Sequence, residues 1–450
     1  MVFSSFEFLF RFLPVFLLIY YIAPMKCKNH ILFAGSIIFY GMGDAEYVFL
    51  LLLCVLVNYL AAYVMDRAAL EERRAWKRIL FILTLGYDFG VLFLYKYSGA
   101  VNELPLGISF YTFQIAAYVI DVYRGKIPVE KSFVKLGTYL TMFPQLISGP
   151  IINYSEVRSS LGKRKVLPED FEDGLKTLII GLGAKVIIAD RIGILWENIQ
   201  AIGFDSISTP LAWMGAFAYS IQLYFDFAGY SMMAMGLGKM LGFQIPVNFR
   251  QPYMSKSVSE FWRRWHITLG RWFREYVYIP LGGNRKGRAR TFFNLFVVWS
   301  LTALWHGANG NYLIWGAMLL AFLAIEKLFL YSYLERSRLL GHIYVLFVIP
   351  LTWVAFAITD IRQLELYFTR LFPFVGQTGE VINGLDYVRY GKEFLPLFLL
   401  GILFATPIPT ALYQKFKDKW LGSIAVEVIL VLSIYYLAVS ATNPFKYFYF

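Results

Sequence analysis

Apolar and polar positions change over along this chain on the scale of whole membrane crossings. Nearly unbroken apolar stretches fall near residues 6–25, 31–43, 46–65, 79–97, 105–122, 134–153, 174–203, 210–242, 291–306, 311–334, 343–359, 394–412 and 421–440. Most approach the ~20 residues that carry a helix across a bilayer, and none has the ~10-residue alternation of an outer-membrane barrel strand. The pattern predicts an all-α polytopic membrane protein with about 11–12 crossings, forming a single transmembrane domain over residues 1–450. Two stretches fit half-helices or re-entrant segments better: the short 31–43, and 134–153, which is interrupted by Pro144, Gly149 and Pro150. Such breaks are tolerated in a bilayer only where protein or a cavity shields them. Residues 6–25 have no basic leader and no small-residue cleavage site, so they read as a first membrane helix and not as a removed signal peptide.

Composition narrows the class. Apolar residues make up 58% of the 450 and charged residues 16%, against about 25% charged in soluble domains. This excludes cytosolic enzymes and secreted disulfide scaffolds. Cys27 and Cys54 are the only cysteines, and with four scattered histidines they suggest neither a disulfide framework nor a zinc site. The net charge of +12 marks cytoplasmic loops before it marks an anionic partner, so nucleic acid is not expected. Basic clusters at Lys26 and Lys28, Arg67 to Arg78, Arg124 to Lys135, Arg158 to Lys165, 250–290 and Lys415 to Lys419 belong on one side, the cytoplasm, which puts the N-terminus outside. The side of the C-terminus depends on whether 134–153 spans. On the opposite side the longest polar stretch is 360–393, either a plain extracytoplasmic loop or a docking surface.

Charge and chemistry concentrate in 250–290, which holds ten Lys or Arg against Glu260 and Glu275. Ser257 and Glu260 have the spacing of a capping box. After them Val258, Phe261, Trp262, Trp265, Leu269, Trp272, Phe273 and Tyr276 recur at helical intervals, predicting one amphipathic helix stopped by Pro280. Arg263, Arg264, Arg271 and Arg274 take its other face. They suit either anionic headgroups at the interface or the phosphates of a cytoplasmic substrate, which guanidinium forks bind in bidentate fashion. His266 falls on the apolar side of that helix, where a lone histidine is ordinarily a core residue. His306 stands at the end of an apolar run, in Trp305-His306-Gly307-Ala308-Asn309-Gly310, where the chain breaks and restarts. An ionisable group buried in a membrane is a functional candidate, and a neutral imidazole is suited to take a proton from a hydroxyl and return it. A helix-capping or packing role is the alternative. Asp226, with Gln222 one turn earlier, is a buried polar pair whose carboxylate calls for a cation such as Lys185 or Arg191.

These residues resemble a known family. Phe261-Trp262-Arg263-Arg264-Trp265-His266, then Tyr278-Ile279-Pro280-Leu281-Gly282-Gly283-Asn284, then Leu304-Trp305-His306-Gly307 are similar to membrane-bound O-acyltransferases of the alginate O-acetyltransferase type. Leu104-Pro105-Leu106-Gly107, Phe143-Pro144-Gln145-Leu146 and Asn443-Pro444-Phe445 extend the likeness over nearly the whole chain, while Met232 and Gly270 depart from the branch's usual pattern. The resemblance implies tilted helices, with re-entrant and interfacial segments, around a central tunnel where cytoplasmic and outer funnels meet. It implies His306 and His266 as catalytic residues, with Trp305, Asn309, Asp226 and Gln222 lining the tunnel. It also implies acetyl-CoA as donor with its phosphates on the arginines, no bound cofactor or metal, an SGNH-type extracytoplasmic partner, and a bacterial inner membrane. D-alanyl transfer to teichoic acid from a carrier protein is the rival within the family. A flippase for a lipid-linked glycan is the rival outside it.

Overall fold

The computed structural model describes residues 2–99, 104–374 and 383–439, and these are helical without a single strand. Five helical segments are long and apolar enough to cross a membrane: Lys28–Ala69, Arg74–Tyr97, Gly310–Arg336, Arg338–Ala357 and Trp420–Val439. A sixth is reached if Asp386–Ala405 and Ile408–Phe416, bent by 70°, form one broken span. This is the all-α polytopic architecture the apolar pattern predicts, with fewer self-evident crossings than its apolar stretches. The difference has a physical cause. Thr209–Met240 is 32 residues long, roughly 48 Å at 1.5 Å per residue, but carries Gln222, Asp226, five tyrosine or serine residues and four glycines among its apolar ones. A helix packed mainly on protein need not be as apolar as one facing lipid.

The chain divides into two compact units. In the first, built mainly from 2–181 and 230–247, the 31–43 stretch is not a half-helix. It lies inside Lys28–Asp44, which passes through the turn Ala45–Tyr47 into Val48–Leu70. The 134–153 stretch is broken as expected: Phe133–Thr141 stops at Met142, a single turn Phe143–Leu146 follows, and irregular chain leads to Tyr154–Gly162. Nearly all of this segment is buried, so its backbone needs protein partners. Ser36 Oγ accepts from the Phe143 amide at 3.1 Å, Gln145 Nε2 donates to Tyr139 O at 2.6 Å, and Tyr139 Oη donates to Ile152 O at 2.8 Å.

Within the same unit Pro168–Gly183 and the end of Thr209–Met240 meet backbone to backbone at Gly174 and Gly236. A Cβ on Gly236 would stand 2.4 Å from Gly174 O and 2.6 Å from the Leu178 amide nitrogen. Small residues allow this approach, and Lys239 closes it with an ion pair to Asp173 at 2.9 Å.

The second unit, from 182–229 and 248–436, contains every candidate site residue. Of the 360–393 stretch, Ile361–Leu371 is a helix capped by Asp360, whose side chain accepts from the Gln363 amide. Residues 375–382 and the motif Asn443-Pro444-Phe445 lie outside the described residues. Gly236→Leu is expected to lower thermal stability in detergent by the equivalent of at least 1–3 kcal/mol (order of magnitude), whereas Gly86→Leu, where nothing lies within 4 Å of the added Cβ, leaves it close to wild type.

Candidate active site

The basic segment does not form one helix. Val258–Arg264 and Ile267–Phe273 are separate, and His266 sits between them with φ 44° and ψ 53°. The left-handed conformation is uncommon outside glycine, although histidine tolerates it better than most residues. It turns the chain so that His266 is 2% exposed while its neighbours continue into a new helix. Asn248 holds the turn. Its Oδ1 accepts from the Thr268 amide at 3.1 Å and from Thr268 Oγ1 at 2.9 Å, and it faces His266 Nδ1 at 3.3 Å. An oxygen in that role assigns the hydrogen of the neutral ring to Nδ1 and the lone pair to Nε2. Burial pulls the imidazole down from its ordinary value to about 3, so His266 is neutral at physiological pH.

The N-terminus of Val258–Arg264 is fixed from two directions. Ser257 Oγ accepts from the Glu260 amide at 3.0 Å, as the capping-box spacing predicts, but the Glu260 carboxylate returns to the Lys256 amide at 2.9 Å instead of to Ser257. The buried carboxylate of Glu326 accepts from the Val258 amide at 2.6 Å, placing a negative group at the positive end of the helix dipole.

His306 is the last residue of the helix Gly287–His306, roughly 28 Å from its start, and is 5% exposed. The next helix, Gly310–Ile325, begins only three residues later. Gly307 makes this reversal possible because a Cβ there would stand 2.5 Å from the Tyr312 ring. His306 is enclosed by aromatic rings: Trp305 at 4.7 Å, Phe356 at 4.9 Å, Trp315 at 5.0 Å and Tyr312 at 6.1 Å between centroids. Trp305 also lies 6.4 Å from His266, so the two histidines flank one indole. On its far side His266 meets the Phe227 ring at 4.8 Å. Trp262, Trp265, Trp299 and Trp353 complete the wall. A cavity of about 210 Å³ opens beside His266, lined by Trp262, Gly270, Arg274, Tyr278 and Thr302 among others.

The remaining candidates divide. Asp226 is buried with Lys185 at 3.0 Å, and Lys185 also meets Asp190 at 2.6 Å, the cationic partner that the sequence calls for. Gln222 is buried one turn away, packed where a Cβ on Gly193 would collide with its amide. Asn309 is exposed at the N-cap of Gly310–Ile325 and is not part of the ring cage. Of the four arginines, Arg274 lines the cavity, Arg264 is held by Glu260 at 2.6 Å, Arg263 is exposed and Arg271 half-buried. Sequence reading missed Asn311, Tyr312, Trp315, Trp353 and Phe356. Asn311 Nδ2 donates to Ala355 O and Phe356 O, tying the restart of the chain to the helix Arg338–Ala357. The signal for Trp315 was its place one turn after Asn311, on the same helix face.

Residues 38–333 match the sequence model of the membrane-bound O-acyltransferase family. The chain belongs to the membrane-bound O-acyltransferase family. It is therefore a multi-pass O-acyltransferase. It is 34% identical to the probable alginate O-acetylase AlgI of Pseudomonas putida over the full length of both chains. It is 30% identical to the peptidoglycan O-acetyltransferase of Helicobacter pylori over 100% of this chain and 98% of that one. The teichoic acid D-alanyltransferase of Bacillus subtilis is 31% identical over 47% of this O-acyltransferase and 56% of its own chain.

Two predictions follow from this geometry. Lys185→Met leaves Asp226 buried without its cation and is expected to cost about 3–5 kcal/mol, seen as a large fall in melting temperature, whereas Asp190→Asn keeps the Lys185–Asp226 pair and costs less. His266 binds a proton in the unfolded chain at pH values below ~6.5 but in the folded enzyme only near 3. Stability is thus expected to decline as pH falls through that window, and His266→Gln, which cannot titrate, should flatten the decline in a pH series of melting temperatures.

Proposed function

We propose that this enzyme moves an acetyl group from cytoplasmic acetyl-CoA across a bacterial inner membrane, for O-acetylation of an extracytoplasmic polysaccharide. An SGNH-type partner protein on the outer side would complete the delivery. The observation that carries the reading is the pair of buried histidines flanking Trp305, each at a helix break, in a chain aligned end to end with O-acetyltransferases of alginate and peptidoglycan.

In this reading His306 is the general base. It takes the proton of the acceptor hydroxyl as the oxygen attacks the thioester carbonyl carbon, then gives that proton to the departing thiolate. The C-terminal end of a 20-residue helix presents its negative pole to the charge the ring gains in between. His266, neutral and with its Nε2 lone pair set by Asn248, tunes or relays that proton across Trp305. Arg274, at the cavity, receives the donor's phosphates with help from Arg263 and Arg271, while Arg264 is committed to Glu260. Acetyl-CoA enters as a substrate, and no bound cofactor or metal takes part in these steps. The surrounding lipid is the enzyme's remaining partner.

Release of free CoA by the purified enzyme in nanodiscs, with acetyl-CoA supplied, tests the reading. His306→Ala is expected to lower turnover about 10²- to 10⁴-fold at matched thermal stability. A folded His306→Ala enzyme with wild-type turnover would overturn it. Turnover of a D-alanyl carrier thioester and none of acetyl-CoA would move the donor assignment to D-alanyl transfer, and substrate movement without thiol release would point to a flippase.

A further inference from the structure

The ring cage contains two indole N–H groups that the fold does not use. Trp315 is 1% exposed, and neither its Nε1 nor that of Trp262, both buried, has a hydrogen-bond acceptor among the described residues. Leaving such donors buried and unbonded destabilises a fold, so two in one cage call for an explanation. Trp353 in the same wall shows the structural alternative, because its Nε1 donates to Tyr253 Oη at 3.1 Å.

The two indoles are neighbours in the cage. The rings of Trp262 and Trp315 are 5.8 Å apart, and Trp315 stands 5.0 Å from His306 at 86°. They come from different helices, Val258–Arg264 and Gly310–Ile325. Glu326 fixes the start of Val258–Arg264, and Asn311, one turn before Trp315, is anchored to Ala355 O and Phe356 O. His306 ends its helix, so the backbone groups that this helix frees there are carbonyls, which have the wrong polarity to meet a developing negative oxygen.

We propose that Trp315 and Trp262 donate their indole N–H groups to the carbonyl oxygen of the bound thioester and form the oxyanion site of this acyltransferase. The inference rests on the reading of His306 as general base. As the acceptor oxygen forms its bond to the carbonyl carbon, its proton passes to His306 and the carbonyl π pair moves onto the carbonyl oxygen, which the two N–H groups stabilise. Collapse re-forms the carbonyl and breaks the carbon–sulfur bond. The thiolate takes the proton back from His306, leaving an ester and a free thiol. In a dry aromatic cage such donors act at far greater strength than in water.

The test replaces each indole by benzothienylalanine, which puts sulfur where the N–H was and keeps ring shape and volume. Trp315→benzothienylalanine in nanodiscs is expected to lower kcat for CoA release at least about a hundredfold, with the KM for acetyl-CoA and the melting temperature close to wild type. The Trp262 replacement acts in the same direction. A packing role would instead leave kcat unchanged, so kcat within twofold of wild type for both replacements overturns the proposal. If acetyl-CoA is not turned over, the same comparison with a D-alanyl carrier thioester decides it, since the carbonyl is common to both donors. A His306→Ala enzyme with full turnover would overturn the parent reading. His306-dependent turnover that ignores both N–H deletions would overturn only this one.

Discussion

A helix that ends inside a membrane protein must find partners for backbone groups that water would otherwise satisfy. This constraint shapes the second unit, which holds both buried histidines. Gly287–His306 stops in the interior and Gly310–Ile325 starts three residues later. The turn is closed by the Tyr312 ring lying against Gly307 and by the Asn311 amide on the carbonyls of Ala355 and Phe356. Because both Asn311 N–H bonds are directed at carbonyls, the first turn of one helix is tied to the end of another. His306 is positioned by these contacts and by four rings, with no dependence on the surface. The second break, at His266, solves the same problem with Asn248, whose single oxygen serves Thr268 twice while facing the imidazole.

Charge in the interior follows a related logic. A carboxylate in apolar surroundings is tolerated when a cation or several N–H groups face it. Asp226 meets Lys185, and Glu326 meets the amides of Val258 and Ser259. Asp226 and Phe227 are adjacent in sequence, yet the carboxylate faces Lys185 while the phenyl ring lies edge-on to His266. These two buried carboxylates are thus absorbed by structural partners, and the His266 side of the cage is surfaced by rings.

The sequence made the membrane class, the paired histidines and the Asp226–Lys185 pair legible, because each depends on a local pattern: apolar run length, a polar residue within such a run, or a carboxylate needing a cation. It misled where tertiary packing overrides periodicity. The helical spacing from Val258 to Tyr276 is unbroken, yet the helix is divided at His266 by a left-handed residue that Asn248, 18 positions earlier, holds in place. The short 31–43 run looked like a half-helix only because Lys28, Asn29 and His30, which begin the same helix, are polar. Asn309 stands near His306 in sequence, but it is exposed at the N-cap of the next helix and lies outside the ring cage. The idle indole N–H groups of Trp262 and Trp315 could not be told from those of ordinary core aromatics, since an idle N–H is a property of three-dimensional neighbours.

An acyltransferase must also keep water from competing with its acceptor hydroxyl, and the same cage addresses that demand. Aromatic side chains fill space while offering few sites where a water molecule could gain the two to four hydrogen bonds that hold it in a buried position. Among the polar groups the cage keeps are the imidazoles and the two idle indole donors, the polarity a hydroxyl and a carbonyl require. A site with few other hydrogen-bonding groups lets the acceptor outcompete water through its fit to those groups. Excluding solvent also strengthens each remaining polar contact, so one packing arrangement both positions His306 and leaves few places for water beside it.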